Sequence, residues 1–307
     1  MSTRLDETAA GVFVISVTPF RADGALDLAG CDRLVEFYLE RGATGLTILG
    51  ILGEAPKLSA SESAAFVRYF LRRVDSRVPV VVGVSSPGFA AMRELAGASM
   101  DAGASGAMVA PPASLRTDDQ LLSYMQQSAD AVGDTPLVLQ DYPLASGVQM
   151  SVGLIKKVIR AVPACVMLKA EDWPGLNKIS ALRDDADLRR VSILTGNGSL
   201  FLPEELRRGA DGAMTGFAYP EMMRDVVAAH GAGDEQRAAD VFDAYLPLAR
   251  YEQQPAIGLA ARKHILARRG AIPCAAMRSP NPVLTARDLA DLDFLIARQE
   301  TRLATLR

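Results

Sequence analysis

Short apolar runs alternate along the chain with longer stretches in which apolar residues recur every three to four positions. The short runs have the length and the Val, Ile and Leu content of buried strands, and the longer ones have the spacing of amphipathic helices. Strands are expected near Phe13–Val17, Gly45–Leu49, Val80–Val84, Ala107–Ala110, Leu137–Gln140, Cys165–Lys169, Ser192–Leu194 and Ala213–Thr215. Helical stretches such as "DLAGCDRLVEFYLERG" and "SASESAAFVRYFLRRV" lie between them. In the second, Ser59 and Glu62 have the spacing of a capping box at the helix start. Strands that are apolar throughout and separated by helices point to a parallel sheet covered on its outer face.

Three segments share one grammar: "RGATGLTIL", "DAGASGAMVA" and "RGADGAMTG". Each ends a helix, passes through Gly-Ala-x-Gly and enters an apolar strand. The first glycine suits a left-handed helix end, and the second allows a tight entry into the strand. Copies in one register favour a repeating barrel over a doubly wound sheet, and no G-x-G-x-x-G follows the first strand. The expected fold is α/β: a (β/α)8 TIM barrel over residues 1–220, with a C-terminal helical extension over 221–307 packed on it. "MRDVVAAHGAGDEQRAADVFDAYLPLARY", "PAIGLAARKHILARRG" and "LTARDLADLDFLIARQETRLATL" carry the helical period of that extension.

Composition narrows the function. With 49% hydrophobic and 22% charged residues, the 307-residue chain reads as an ordinary globular protein. A net charge of -3 with no basic run argues against nucleic acid. No apolar run reaches the length of a membrane helix, and the start "MSTRLDETAAG" lacks the features of a signal peptide. Cys31, Cys165 and Cys274 are scattered and odd in number, so they read as reduced thiols and the expected location is the cytoplasm. The only histidines are His230 and His264, which leaves no histidine triad and no histidine-rich metal site to expect.

Lysine is scarce. There are six, at Lys57, Lys156, Lys157, Lys169, Lys178 and Lys263, while the remaining cations are arginines that stay protonated. One of the six, Lys169 in "PACVMLKAEDWPG", ends an oily strand. In a βα barrel, reacting groups sit at such strand ends. Apolar walls disfavour the ammonium form, and a neutral amine can attack a ketone to give a Schiff base. The imine then draws electrons from the adjacent carbon, which permits aldol cleavage and dehydration with no metal or other cofactor. The second candidate is the bend Gly50-Ile51-Leu52-Gly53-Glu54 after strand two, whose backbone N–H groups could hold a carboxylate. A 2-oxo acid carries that carboxylate beside its ketone.

These features resemble the dihydrodipicolinate synthase / N-acetylneuraminate lyase family of class I aldolases and dehydratases. The resemblance rests on "GVFVISVTPFRADGALD", "GILGE", "VMLKAED" and "LTGNGSLFLPEELRRGADGAMTG", and it spans nearly the whole chain. It implies that Lys169 is the imine lysine and that pyruvate or a similar 2-oxo acid, a small-molecule substrate, binds at Gly50, Ile51, Leu52, Gly53 and Glu54. Thr215 and Gly216, ending strand eight, would line the pocket. It also implies a homo-oligomer, dimer or tetramer, with no nucleic acid and no membrane as partners.

The chain departs from the family pattern at informative places. Ile51 and Leu52 stand where hydroxyl residues are usual, so a side-chain proton relay is missing there. The family's catalytic tyrosine falls on Gln140, with Tyr142 two residues later. A tyrosine lent by a neighbouring subunit would fall near Ala113, and the carboxylate-gripping arginine of the synthase branch near Ala145. Tyr142, Asp141, Glu171 and a bound water are the candidates for the acid/base that must replace the relay, with Asp141 and Glu171 a conceivable pair. The expected activity is a metal-independent Schiff-base lyase or aldolase on a 2-oxo acid, and not a true dihydrodipicolinate synthase. The alternatives are a 2-keto-3-deoxy sugar acid dehydratase and a weakened ligand-binding homologue.

Overall fold

Eight short strands pair only in parallel and close on themselves in chain order. They are β1 (Gly11–Ile15), β2 (Gly45–Ile48), β3 (Val80–Gly83), β4 (Gly106–Val109), β5 (Leu137–Asp141), β6 (Cys165–Ala170), β7 (Ser192–Thr195) and β8 (Gly212–Thr215). The structure is a computed structural model that describes residues 4–173 and 175–306. Residues 1–3 and 307, at the limits of the expected barrel and extension, and Pro174 lie outside the described residues. Each expected strand overlaps an observed one, with ends displaced by no more than about two residues.

The helices are α1 (Gly30–Glu40), α2 (Ala60–Val74), α3 (Phe89–Asp101), α4 (Asp118–Val132), α5 (Pro143–Ser146), α6 (Val152–Ala161), α7 (Leu176–Arg183), α8 (Leu202–Arg207), α9 (Pro220–Gly231), α10 (Glu235–Glu252), α11 (Gly258–Arg268) and α12 (Ala286–Ala304). Helix α2 starts with the capping box of Ser59 and Glu62. The repeated Gly-Ala-x-Gly segments do what their composition suggests. Gly42, Gly103 and Gly209 have φ of 88°, 98° and 91°. After each, the alanine N–H reaches back to a carbonyl of the preceding helix, at Tyr38, Ser99 and Glu205.

Two apolar layers hold the barrel. The larger lies between strands and helices. The smaller fills the barrel interior with Phe13, Ile15, Val81, Met108, Val138, Met167, Leu194 and Met214, stoppered at the N-terminal end by Leu5. Because strand side chains alternate, the interior positions that follow Val138 and Met167 are Gln140 and Lys169. The sheet register pairs these two residues side by side. The interior therefore changes from apolar to polar at the C-terminal mouth.

Helix α9 was assigned to the extension, but it packs on β1, α8 and α10 and so closes the outer ring of helices. Helices α10, α11 and α12 are the added layer, with α10 packed against α9, α11 and α12. The "MRDVVAAHGAGDEQ…" stretch is two helices, parted at Ala232 and Gly233. Among the described residues, no helix is long and apolar enough to cross a membrane.

Candidate active site

A cavity opens at the C-terminal mouth of the barrel, lined by Ile15, Ile51, Leu52, Gln140, Tyr142, Lys169, Glu171, Asn197, Gly198, Thr215 and Gln253. Six strand ends or the loops after them contribute, and Gln253 comes from the end of α10. Lys169 is only 4% exposed. Its Nζ lies 2.8 Å from Glu171 Oε2. Gln140 Nε2 donates to the same oxygen at 2.7 Å. The amine shares its cavity with the apolar side chains of Ile15, Ile51 and Leu52 and pairs with a carboxylate. Lys169 was expected among apolar walls; it is buried, but a buried carboxylate accompanies it.

Glu171 reaches this position because β6 runs one residue further than expected. Its N–H bonds to the Asp141 carbonyl at 2.9 Å, continuing the β5–β6 ladder. Two residues beyond Lys169, it keeps the inward face. Asn197 Nδ2 donates to its carbonyl oxygen at 3.0 Å. Gly196 makes the room: a Cβ there would lie 2.2 Å from Glu171 Cγ. Asn197, Gly198 and Ser199 follow as a left-handed turn, with φ of 51°, 62° and 61°. The Gly198 N–H donates to Thr215 Oγ1 at 2.9 Å.

Tyr142 lines the cavity without sharing a face of regular strand with Gln140, since β5 ends at Asp141 and Pro143 opens α5. Burial, reinforced by the nearby Glu171 charge, pushes its phenol above the usual tyrosine value. It is therefore a protonated O–H donor at neutral pH. The bend after β2 is a 3₁₀ turn over Ile51–Gly53. Its own bonds are donated by Gly53 to Gly50 and by Glu54 to Ile51, each at 3.0 Å. The first N–H groups of such a turn, at Ile51 and Leu52, have no partner within it.

A model of the dihydrodipicolinate synthetase family matches residues 8–294. The chain belongs to this family. A structure of dihydrodipicolinate synthase from Rhodopseudomonas palustris is 51% identical, with a TM-score of 0.94 over 97% of this chain and 100% of that one. The L-2-keto-3-deoxyarabonate dehydratase of Azospirillum brasilense is 30% identical over 295 residues, covering 94% of each chain. The 4-hydroxy-tetrahydrodipicolinate synthase 2 of Streptomyces coelicolor is 32% identical over 291 residues, 93% of this chain and 94% of its own. Members of the family are lyases and aldolases, and this chain is an enzyme of that kind.

Within this dihydrodipicolinate synthetase fold, the expected residues separate into two groups. Lys169, Gln140, Tyr142, Ile51, Leu52 and Thr215 share one cavity. Gly50, Gly53, Glu54 and Gly216 are not on its wall. Gly50 and Gly53 shape the bend, and Gly216 lies against Leu52 and Arg262, where a Cβ would sit 2.8 Å from Leu52 Cδ1. Glu54, expected to bind substrate, turns the other way. Its carboxylate accepts from Lys263 Nζ at 2.6 Å, Lys57 Nζ at 3.0 Å and the Arg278 N–H at 3.1 Å. Buried among three fixed donors, it anchors the bend.

Asp141 likewise parts from Glu171, as alternation along β5 sends it outward. Its Oδ2 accepts from Lys178 Nζ at 2.6 Å. Burial, opposed by Lys178, raises its carboxyl to about 6. Asp141 is thus engaged with Lys178 and does not share the cavity wall with Glu171. Trp173 stacks edge-on against Phe201, with ring centroids 4.8 Å apart. Gly196, Asn197, Gly198 and Gln253 were not singled out. The first three were signalled only by the glycine-rich "TGNGS", and nothing local in sequence marks Gln253.

Proposed function

We propose that the protein is a class I, metal-independent lyase that binds pyruvate or another 2-oxo acid and forms a Schiff base with it through Lys169. The observation that carries this reading is the Lys169 amine, nearly excluded from solvent at the barrel mouth and 2.8 Å from the Glu171 carboxylate. The substrate carboxylate would lie at the N–H groups of Ile51 and Leu52, and the keto carbon against Lys169 Nζ. Attack forms the N–C bond, and loss of water gives the protonated imine. Tyr142 would donate to a substrate oxygen, and Gln140, Thr215 and Asn197 would complete the polar wall. The working form is read as a homo-oligomer, dimer or tetramer, in the cytoplasm.

Alanine stands at position 145, where the resemblance expects the carboxylate-gripping arginine. This argues against aspartate semialdehyde as partner and for a different acceptor. A second reading, dehydration of a 2-keto-3-deoxy sugar acid through the same imine, is favoured by the likeness to the Azospirillum dehydratase over 94% of both chains. Borohydride reduction in the presence of pyruvate, followed by mass spectrometry, is expected to leave a stable adduct on Lys169. Absence of an adduct across a panel of 2-oxo acids rejects the reading. Product analysis with sugar acids then separates release of pyruvate from loss of water. Turnover that disappears in Lys169→Met separates an enzyme from a ligand-binding homologue.

A further inference from the structure

We propose that Glu171, steered by Gln140, is the proton-transfer residue of this site, replacing the hydroxyl relay that the chain lacks. The inference rests on the Schiff-base reading and adds to it the group that moves the protons. Among the described residues lining the cavity, Glu171 is the only carboxylate. The other polar groups there, Gln140, Tyr142, Asn197, Thr215 and Gln253, are neutral or, in the case of Tyr142, hold their proton tightly.

Three features tie Glu171 to the reacting atom instead of to the fold at large. Its Oε2 stands 2.8 Å from Lys169 Nζ, within reach of a direct proton transfer. Gln140, at the position where the family resemblance expects a tyrosine, spends its amide N–H on that same oxygen at 2.7 Å. An amide cannot carry a proton in and out, but it can aim a carboxyl that does. The space for Glu171 also depends on Gly196, since a Cβ there would lie 2.3 Å from Glu171 Oε1. A carboxyl needed only to neutralise a lysine would not require both an aiming donor and a glycine-cut recess.

The proton accounting closes on this one carboxyl. The carboxylate takes a proton from the Lys169 ammonium, and the freed amine adds to the keto carbon while the carbonyl π pair moves to oxygen. The acid returns its proton to that oxygen, giving the carbinolamine. It then takes the proton left on nitrogen and delivers it to the departing hydroxyl, so that water leaves and the protonated imine remains beside a carboxylate. That carboxylate can next remove a proton from C3, with the C–H electron pair flowing into the imine to form the enamine. No outside oxidant, reductant or metal enters.

Exchange of the pyruvate methyl protons in D2O, followed by NMR, reads the C3 step directly, and borohydride trapping reads the imine independently. In Glu171→Gln, the trapped adduct on Lys169 is expected to form after long incubation, while methyl exchange falls about 10²–10⁴-fold. Adduct formation with exchange close to that of the wild type overturns the role of Glu171 and leaves the Schiff-base reading standing. Wild-type protein that traps no 2-oxo acid overturns both. Should Glu171→Gln not fold, Gln140→Leu provides the second test. It removes the aiming hydrogen bond and is expected to slow exchange about tenfold with an unaltered circular dichroism spectrum. Unchanged exchange in that variant overturns the inference.

Discussion

Two lysines of this chain are buried against glutamates, and they behave oppositely. Lys263 has no exposure at all, and its three donors are all taken, by Glu54 Oε1 at 2.6 Å and by the carbonyls of Thr18 and Ala276, each at 2.9 Å. Phe20 covers it, with the ring centroid 4.6 Å from Nζ. Burial lowers its tendency to hold a proton, and Glu54 opposes that pull. Lys169 is almost as well buried, but among the described residues it has one ion-pair partner, and it borders a cavity. The lesson is that burial of a lysine does not by itself signal chemistry. A lysine whose donors are all spoken for is a rivet, and one with donors to spare beside an opening can react.

The sharpest break of this comparison is Lys169→Met, which is expected to drop turnover and adduct formation to background while the fold remains. In Lys263→Met stability falls by about 3–5 kcal/mol, because Glu54 stays buried without its main cation, but the folded protein should still trap a 2-oxo acid on Lys169. Denaturant titration of the two variants measures this. A folded Lys263→Met that no longer traps a 2-oxo acid on Lys169 would erase the distinction.

Gly196→Ala sharpens it from the carboxylate side. The new methyl collides with Glu171, so activity should fall about 10- to 100-fold with little change in melting temperature. Wild-type activity in that variant would mean that Glu171 need not stand where it does.

The last test concerns a third buried glutamate. Glu205 Oε2, on α8, has no hydrogen-bond partner among the described residues. Burial pushes this carboxyl up to about 8, the charges of Glu204 and Glu171 add to the rise, and the Thr195 hydroxyl opposes it. Between about pH 4.5 and 8 the folded chain holds a proton that the unfolded chain has released. The contribution of Glu205 to stability should therefore fall as pH rises through that window, by at most about 1.4 kcal/mol per pH unit, and level off above it. Urea titrations at several pH values check the slope, and Glu205→Gln should flatten it.

The fold was legible because its signals are local and repeated. The strands are apolar runs, and Gly42, Gly103 and Gly209 mark three helix ends in one register. The reactive lysine was legible for a similar reason, as a charge at the tip of an oily strand. Glu171 was half legible. It stood among the acid/base candidates, but with β6 expected to stop at Lys169, its place on the same face could not be read. The anchoring of Glu54 was hidden, because its partner lies 209 residues away in the chain. The same holds for Gln253, which enters the cavity wall only through the packing of α10. A Cβ at Gly198 would meet the Gln253 side chain at 2.2 Å, a fit between two segments that share no sequence signal.

The anchoring of Glu54 also bears on the order in which the molecule is completed during synthesis. The bend it fixes leaves the ribosome early, but the backbone N–H of Arg278 that closes on it follows 224 residues later. At about 5–20 residues per second, that is a delay of roughly 10 to 45 s. A nascent chain can therefore wind most of its barrel while the mouth of the cavity is still unset, and the bend is fixed only once the segment that follows α11 has been made.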